Sequence, residues 1–141
     1  MSEIYATRYH DISCGHRVVG HESKCRFLHG HNYRITFVIR GRNGLDNIGR
    51  VIDFSVIKSI LCEWLEENWD HKFLLWESDP ILPGLREVAN IGLKAVPFNP
   101  TAENMGRYLV HDIGPSLLPK DVVLVKVVVE ETRKCSAEVT L

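Results

Sequence analysis

Apolar and polar positions alternate over 31–40, with Tyr33, Ile35, Phe37 and Ile39 on one side and Asn32, Arg34, Thr36 and Arg40 on the other. That period of two predicts a half-buried β-strand. A weaker alternation precedes it over 4–14, where Ala6, Arg8, His10, Ile12 and Cys14 share a face. It predicts a first strand whose buried face is not decided by polarity. From Phe54 the period changes: Phe54, Ile57, Ile60, Leu61, Trp64 and Leu65 recur at helical spacing behind an N-cap at Asp53, with Glu63, Glu66 and Glu67 on the wet face. The pattern breaks at Asn68-Trp69-Asp70-His71.

The stretch 77–100, with Pro80, Pro83, Pro97 and Pro100, reads as a long connection holding at most a short extended piece at 93–96. Thr101, just after Pro100, is a natural cap for a second helix with the stripe Met105, Tyr108, Leu109 and Ile113, stopped by Gly114-Pro115. Two strands close the chain, a valine-rich one over 121–131 and a return over 135–141 across the turn Thr132-Arg133-Lys134. The expected fold is therefore α+β: a four-stranded antiparallel sheet in ββααββ order with both helices on one face. Along the third strand Val123, Val125, Val127 and Val129 share a face by parity, and Glu131 continues that row. A carboxylate there has either reached solvent or meets a ligand carrying N–H donors.

The chemistry concentrates at Cys25-Arg26-Phe27-Leu28-His29-Gly30-His31. Residues two apart on a strand point the same way, roughly 6.6–6.8 Å apart, so His29 and His31 can aim at one point while Gly30 leaves the opposite face bare. With His16 from the first strand's end they make a three-histidine metal site, the catalytic zinc pattern that leaves one position open. Cys25 is either a fourth, closing ligand or a free thiol made more acidic by a nearby cation and by Lys24 and Arg26. Taken singly, each candidate has a plainer reading. His71 suits a helix end, Asp70 a turn, Thr101 a cap, and a histidine pair can simply face solvent.

Composition narrows the class without choosing a function. The 141 residues, 45% hydrophobic and 25% charged, suit a single domain spanning 1–141. The formal net charge of −1 gives no pull toward nucleic acid or an anionic membrane. No apolar run has the length of a signal peptide or a membrane span, so the expected location is the cytoplasm, with Cys14, Cys25, Cys62 and Cys135 reduced. Cys62 and Cys135 are expected to pack in the interior, as is Cys14.

His16, Cys25, His29-Gly30-His31, Asp70-His71, Thr101 and Glu131-Thr132, in that order, resemble the 6-pyruvoyl-tetrahydropterin synthase family. The likeness runs nearly the whole length. The four-residue step from Cys25 to His29 is most similar to the bacterial 6-carboxy-5,6,7,8-tetrahydropterin synthase branch, which serves queuosine biosynthesis. The resemblance implies a tunnelling T-fold, trimers stacked into a homo-hexamer, and active sites between subunits. It implies Zn2+ held by His16, His29 and His31, proton handling by Cys25, Asp70 and His71, and a pterin ring gripped by Glu131 near Thr101. The implied substrate is 7,8-dihydroneopterin triphosphate, cleaved to 6-carboxytetrahydropterin with loss of acetaldehyde and triphosphate. Lys24 and Arg26 are candidate phosphate contacts, beside Lys72. Two other readings stand beside this one: a 6-pyruvoyl-tetrahydropterin synthase without carbon–carbon cleavage, and a non-catalytic module built on structural zinc. The sequence departs from the family's usual small residues at Asp11-Ile12-Ser13-Cys14 and in the length of the 77–100 connection.

Overall fold

The computed structural model describes residues 2–141. Two long strands, β1 (Ala6–His16) and β2 (His29–Gly41), pair antiparallel from Ala6 opposite Ile39 to His16 opposite His29. Beyond β2 lie β5 (Val122–Glu130) and β6 (Ser136–Thr140), each antiparallel to its neighbour. On the other side of β1 lie β3 (Phe73–Trp76) and then β4 (Leu93–Val96), both joined in parallel. The sheet thus has six strands in the order β4-β3-β1-β2-β5-β6 and is mixed. This corrects the expected four-stranded antiparallel sheet. β3 escaped the pattern because Phe73-Leu74-Leu75-Trp76 does not alternate; Leu74 and Leu75 are both fully buried, as strands covered on both sides are.

The first strand's ambiguity resolves toward Ala6, Ile12, Cys14 and His16, which are all buried. They meet Tyr33, Ile35, Phe37 and Ile39 of β2 and the helices behind them. α1 runs over 54–68 and contains a widened π turn at Lys58–Cys62; Asp53 caps it by accepting from the Ser55 N–H. It buries Ile57, Leu61, Cys62 and Leu65, whereas Phe54, at the very start, stays 59% exposed. The expected connection over 77–100 contains α2 (Leu82–Ala89) as well as β4. α3 runs over 102–117, past Gly114-Pro115 instead of stopping there. The π turn at Leu109–Ile113 comes just before Pro115, and it relieves the clash that a proline makes with the preceding turn of a regular helix.

The valine row is also broken. Val38 pairs with Lys126 but Ile39 pairs with Leu124, so β5 carries a bulge at Val125. Val122 and Leu124 face the core on one side of it, and Val127 and Val129 on the other. Parity from Val127 onward holds, and it delivers Glu131 to the end of the sheet where β1 finishes and β2 begins. Cys14 and Cys62 are buried as expected, but Cys135 lies exposed just ahead of β6. No helix among the described residues is long and apolar enough to cross a membrane.

Candidate active site

The pairing of β1 with β2 assembles the histidines. His16 lies directly opposite His29, and Cys14 opposite His31, so the three imidazoles share one face on two rungs separated by a single pair. Their candidate ligand atoms all lie within 4.8 Å of one another, and among the described residues they are the one such group. Cys25 stands outside it, in the short turn Lys24–Arg26 that leads into β2. On the intervening rung, whose side chains would point to the other face, Gly15 and Gly30 pair. A Cβ on Gly15 would come within 2.3 Å of the Phe73 ring, and one on Gly30 within 3.2 Å of the Cys14 carbonyl. Gly15 thus leaves room for the Phe73 ring of the neighbouring strand β3, beside an open cavity of about 580 Å³ bordered by His31, His71, Lys72 and Phe73.

Backbone carbonyls orient two of the rings. His16 Nδ1 donates to the Pro100 carbonyl at 2.6 Å, and His29 Nδ1 donates to the Phe27 carbonyl at 2.7 Å. A carbonyl can only accept, so each neutral ring keeps a lone pair on Nε2. Those two Nε2 atoms face each other at 3.0 Å. Two lone pairs opposed at that range repel, and a shared cation removes the repulsion. His31 Nε2 is buried without a hydrogen-bond partner. These three donors fit a metal ion that binds neutral imidazoles: tetrahedral zinc, with nitrogens at about 2.0–2.1 Å, spaces its ligands by about 3.3 Å.

Burial suits the rings to that state. His16, wholly buried, is pushed below the ordinary 6.5; the Pro100 carbonyl opposes the shift and the neighbouring imidazoles add to it. His31 is lowered too, first by burial, with Glu131 pulling the other way and His29 reinforcing. Glu131 approaches the cluster, with its Oε1 3.5 Å from His16 Nε2 and 3.7 Å from His31 Nε2. Under the rings lies Tyr33, fully buried, its hydroxyl 3.3 Å from both His16 nitrogens. Burial pushes its phenol far up, and nearby Cys14, Glu131 and Cys25 add to the shift. In the sequence Tyr33 reads only as an apolar strand residue, and its position two beyond His31 on the same face is the signal that it lies with the rings.

Asp70 and His71 form a separate pair on the β3 side of β1, at Ser13, just before the two strands begin to pair. Asp70 Oδ1 accepts from the Ser13 N–H and Oδ2 from His71 Nδ1, both at 2.8 Å. Burial would raise the Asp70 carboxyl, but the Ser13 N–H, the His71 ring and Glu66 outweigh it and hold it below the ordinary range. His71 takes a left-handed backbone, φ 57, and its N–H donates to the Ser13 carbonyl at 2.7 Å. Its ring projects outward, 81% exposed. Thr101 caps α3 by accepting from the Asn104 N–H at 3.1 Å. Lys24 and Arg26 are exposed on either side of Cys25; Arg26 donates to the carbonyls of Glu22 and Ser23 and covers the Phe27 ring.

The architecture and the three-imidazole cluster bear on kinship directly. The family model of 6-pyruvoyl tetrahydropterin synthase matches residues 5–141. The chain belongs to that family. A 6-carboxy-5,6,7,8-tetrahydropterin synthase of Rickettsia typhi is 35% identical over 140 residues, covering 96% of this chain and 99% of the relative. A probable 6-carboxy-5,6,7,8-tetrahydropterin synthase of Halobacterium salinarum is 36% identical over 127 residues, 89% of this chain and 79% of the relative. In fold, the chain is similar to the crystal structure of an uncharacterized Wolinella succinogenes protein at TM-score 0.85 and 23% identity, covering 99% of each chain. It is similar also to Caenorhabditis elegans 6-pyruvoyl tetrahydropterin synthase at TM-score 0.68 and 22% identity, covering 100% of this chain and 97% of the other. The family is one of enzymes, and in this member the three histidines gather where β1 ends and β2 begins.

Proposed function

We propose that the protein is a zinc-dependent lyase that converts 7,8-dihydroneopterin triphosphate and water to 6-carboxy-5,6,7,8-tetrahydropterin, acetaldehyde and triphosphate, for 7-deazaguanine and queuosine biosynthesis. The observation that carries this reading is the set of three imidazoles with inward Nε2 atoms, preceded by a thiol four residues before His29. The names borne by its relatives agree with it. His16, His29 and His31 hold the zinc, which when bound supplies Lewis acidity to the substrate's side-chain oxygens and makes neighbouring carbon-bound protons removable.

The protein's own groups do the rest. Glu131 accepts the pterin's 2-amino and adjacent ring N–H groups on its two carboxylate oxygens. Because that carboxylate lies beside His16 and His31, a ring held there extends its side chain over the cluster. Cys25, as thiolate, takes or returns a proton at a side-chain carbon, and His71, held by Asp70, makes the opposite transfer. Lys24 and Arg26 line the approach for the triphosphate, and Thr101 lies at the pterin end. A reduced thiol of this kind belongs in the cytoplasm, and all four cysteines are free. β4 and β6 leave open sheet edges, and closing them in a ring of trimers, stacked as a hexamer, is part of the same reading.

The test is to incubate the zinc-loaded protein with 7,8-dihydroneopterin triphosphate and follow the pterin product together with acetaldehyde. Both products from the wild type, and neither from Cys25→Ala with zinc retained, is the expected result. A pyruvoyl pterin without acetaldehyde would replace this reading with the synthase that stops at elimination. Loss of zinc and fold in Cys25→Ala would mark a structural zinc site.

A further inference from the structure

The turn that carries Cys25 buries no residue. Hydrophobic packing therefore does not locate the thiol, and a turn this short has little stiffness of its own. Its position comes from hydrogen bonds, and they converge on the three residues that follow His16. The Arg17 guanidinium donates to the Arg26 carbonyl at 3.2 Å. The Val18 N–H donates to the Cys25 carbonyl at 2.8 Å. Val19 is gripped from elsewhere: its N–H donates to Asn99 Oδ1, and Asn99 Nδ2 donates back to its carbonyl, both at 2.9 Å.

Arg17 is gripped as well. Its Nε and Nη2 make a two-pronged pair with Asp79 at 2.6 and 2.7 Å. The Asp79 side chain is wholly buried, and its Oδ1 also accepts from the Ile81 N–H. Burial would raise this carboxyl, but the Arg17 hydrogen bonds prevail and keep it ionised below the ordinary range. A buried carboxylate is a costly way to fasten a loop where aliphatic packing would serve. Its advantage is direction, because a planar fork fixes the guanidinium in orientation as well as place.

Asp79 and Asn99 lie at the two ends of the 77–100 connection whose length had no explanation in the sequence. The next residue, Pro100, supplies the carbonyl that orients His16. One segment thus holds a cluster histidine directly and the Cys25 turn from two sides. We propose that Asp79, through Arg17, and Asn99, through Val19, are positioning residues for Cys25 and set where its thiol stands relative to the three histidines. This deepens the reading of Cys25 as the proton carrier and rests on it.

The experiment uses the full-length, zinc-loaded protein and two variants, Asp79→Asn and Asn99→Ala. Asn99 is the cleaner site, since among the described residues its side-chain hydrogen bonds are with Val19 alone, and it keeps the proposal testable if Asp79→Asn fails to fold. The readouts are zinc per chain, the rate of iodoacetamide alkylation on the Cys25 peptide by mass spectrometry, and kcat and KM with 7,8-dihydroneopterin triphosphate. The expected result is unchanged zinc, Cys25 alkylation altered several-fold, and kcat lower by about ten- to a hundred-fold with KM nearly unchanged, as a small misplacement of a reacting group produces. Unaltered alkylation in Asn99→Ala overturns the proposal, as does a kcat loss that only follows loss of zinc. If the wild type turns over no pterin, the functional reading fails, while alkylation of Cys25 still decides whether the two residues place the thiol.

Discussion

His16 and His71 hold the same side chain under opposite conditions. His16 ends a central strand, fully buried, with Nδ1 fixed on a carbonyl and its basicity lowered by desolvation. His71 follows a helix end, takes a left-handed backbone, projects into solvent, and has its Nδ1 fixed on a carboxylate. A carbonyl orients an imidazole without stabilising its charge, which suits a ligand that must stay neutral. A carboxylate orients the ring equally well, and His71, left 81% exposed, is open to exchange protons with a bound substrate. Under the proposed function, burial and the choice of acceptor divide one residue type into two chemical roles.

The sharpest way to break this division is to remove one histidine of each kind. His31→Ala should strip the zinc and lower turnover by well over the 10–100-fold typical of outer-shell partners, read by metal analysis beside an activity assay. His71→Asn should keep one zinc per chain and still lose about 10²–10⁴-fold in kcat, the span of general acid–base catalysis. Zinc lost from His71→Asn would collapse the distinction.

Acid sharpens the comparison further. In the zinc-free protein, His16 and His31 have folded values below 6.5, so below about pH 6.5 the unfolded chain binds protons that the folded chain refuses. Their contribution is intact above that pH and is lost as the pH falls through the interval down to the folded values, by up to about 1.4 kcal/mol per pH unit for each group. Thermal melts from pH 7.5 to 5.5 should show the decline, and zinc, which binds only neutral imidazoles, should raise the melting temperature most at pH 7.5 and steepen the decline. His31→Gln should lessen the slope.

The smallest effect is at Thr101, whose hydroxyl the structure commits to the Asn104 N–H. Thr101→Ala should cost about 1 kcal/mol of stability, measured by denaturant titration. A raised KM for the pterin alongside that loss would show that the threonine also meets substrate.

Much of this arrangement was legible in the chain because it depends on period. The alternation at Tyr33-Ile35-Phe37-Ile39, the helical stripe at Ile57-Leu61-Leu65 and the caps at Asp53 and Thr101 are local patterns, and local geometry realises them directly. His29 and His31 share a face for the same reason. Other features were hidden for reasons equally specific. Phe73-Leu74-Leu75-Trp76 has no alternation because it is covered on both sides. The bulge at Val125 shifts the row without leaving a mark in a run of valines. Pro115 stops a regular helix, yet here follows a widened turn.

The sequence by itself determined which side chains could meet: histidines two apart on a strand, a thiol four residues earlier, an acid continuing the parity of Val127 and Val129. Tertiary structure alone decided how they are held. The groups that set the imidazoles are the carbonyls of Pro100 and Phe27, and every residue carries a carbonyl, so no letter of the sequence marks these two. The carboxylate that braces the Cys25 turn is Asp79, far from it in the chain and recognisable only once it is seen buried against Arg17. Side-chain periodicity is written in the order of residues, whereas backbone acceptors and long-range ion pairs acquire meaning only from what the fold brings beside them.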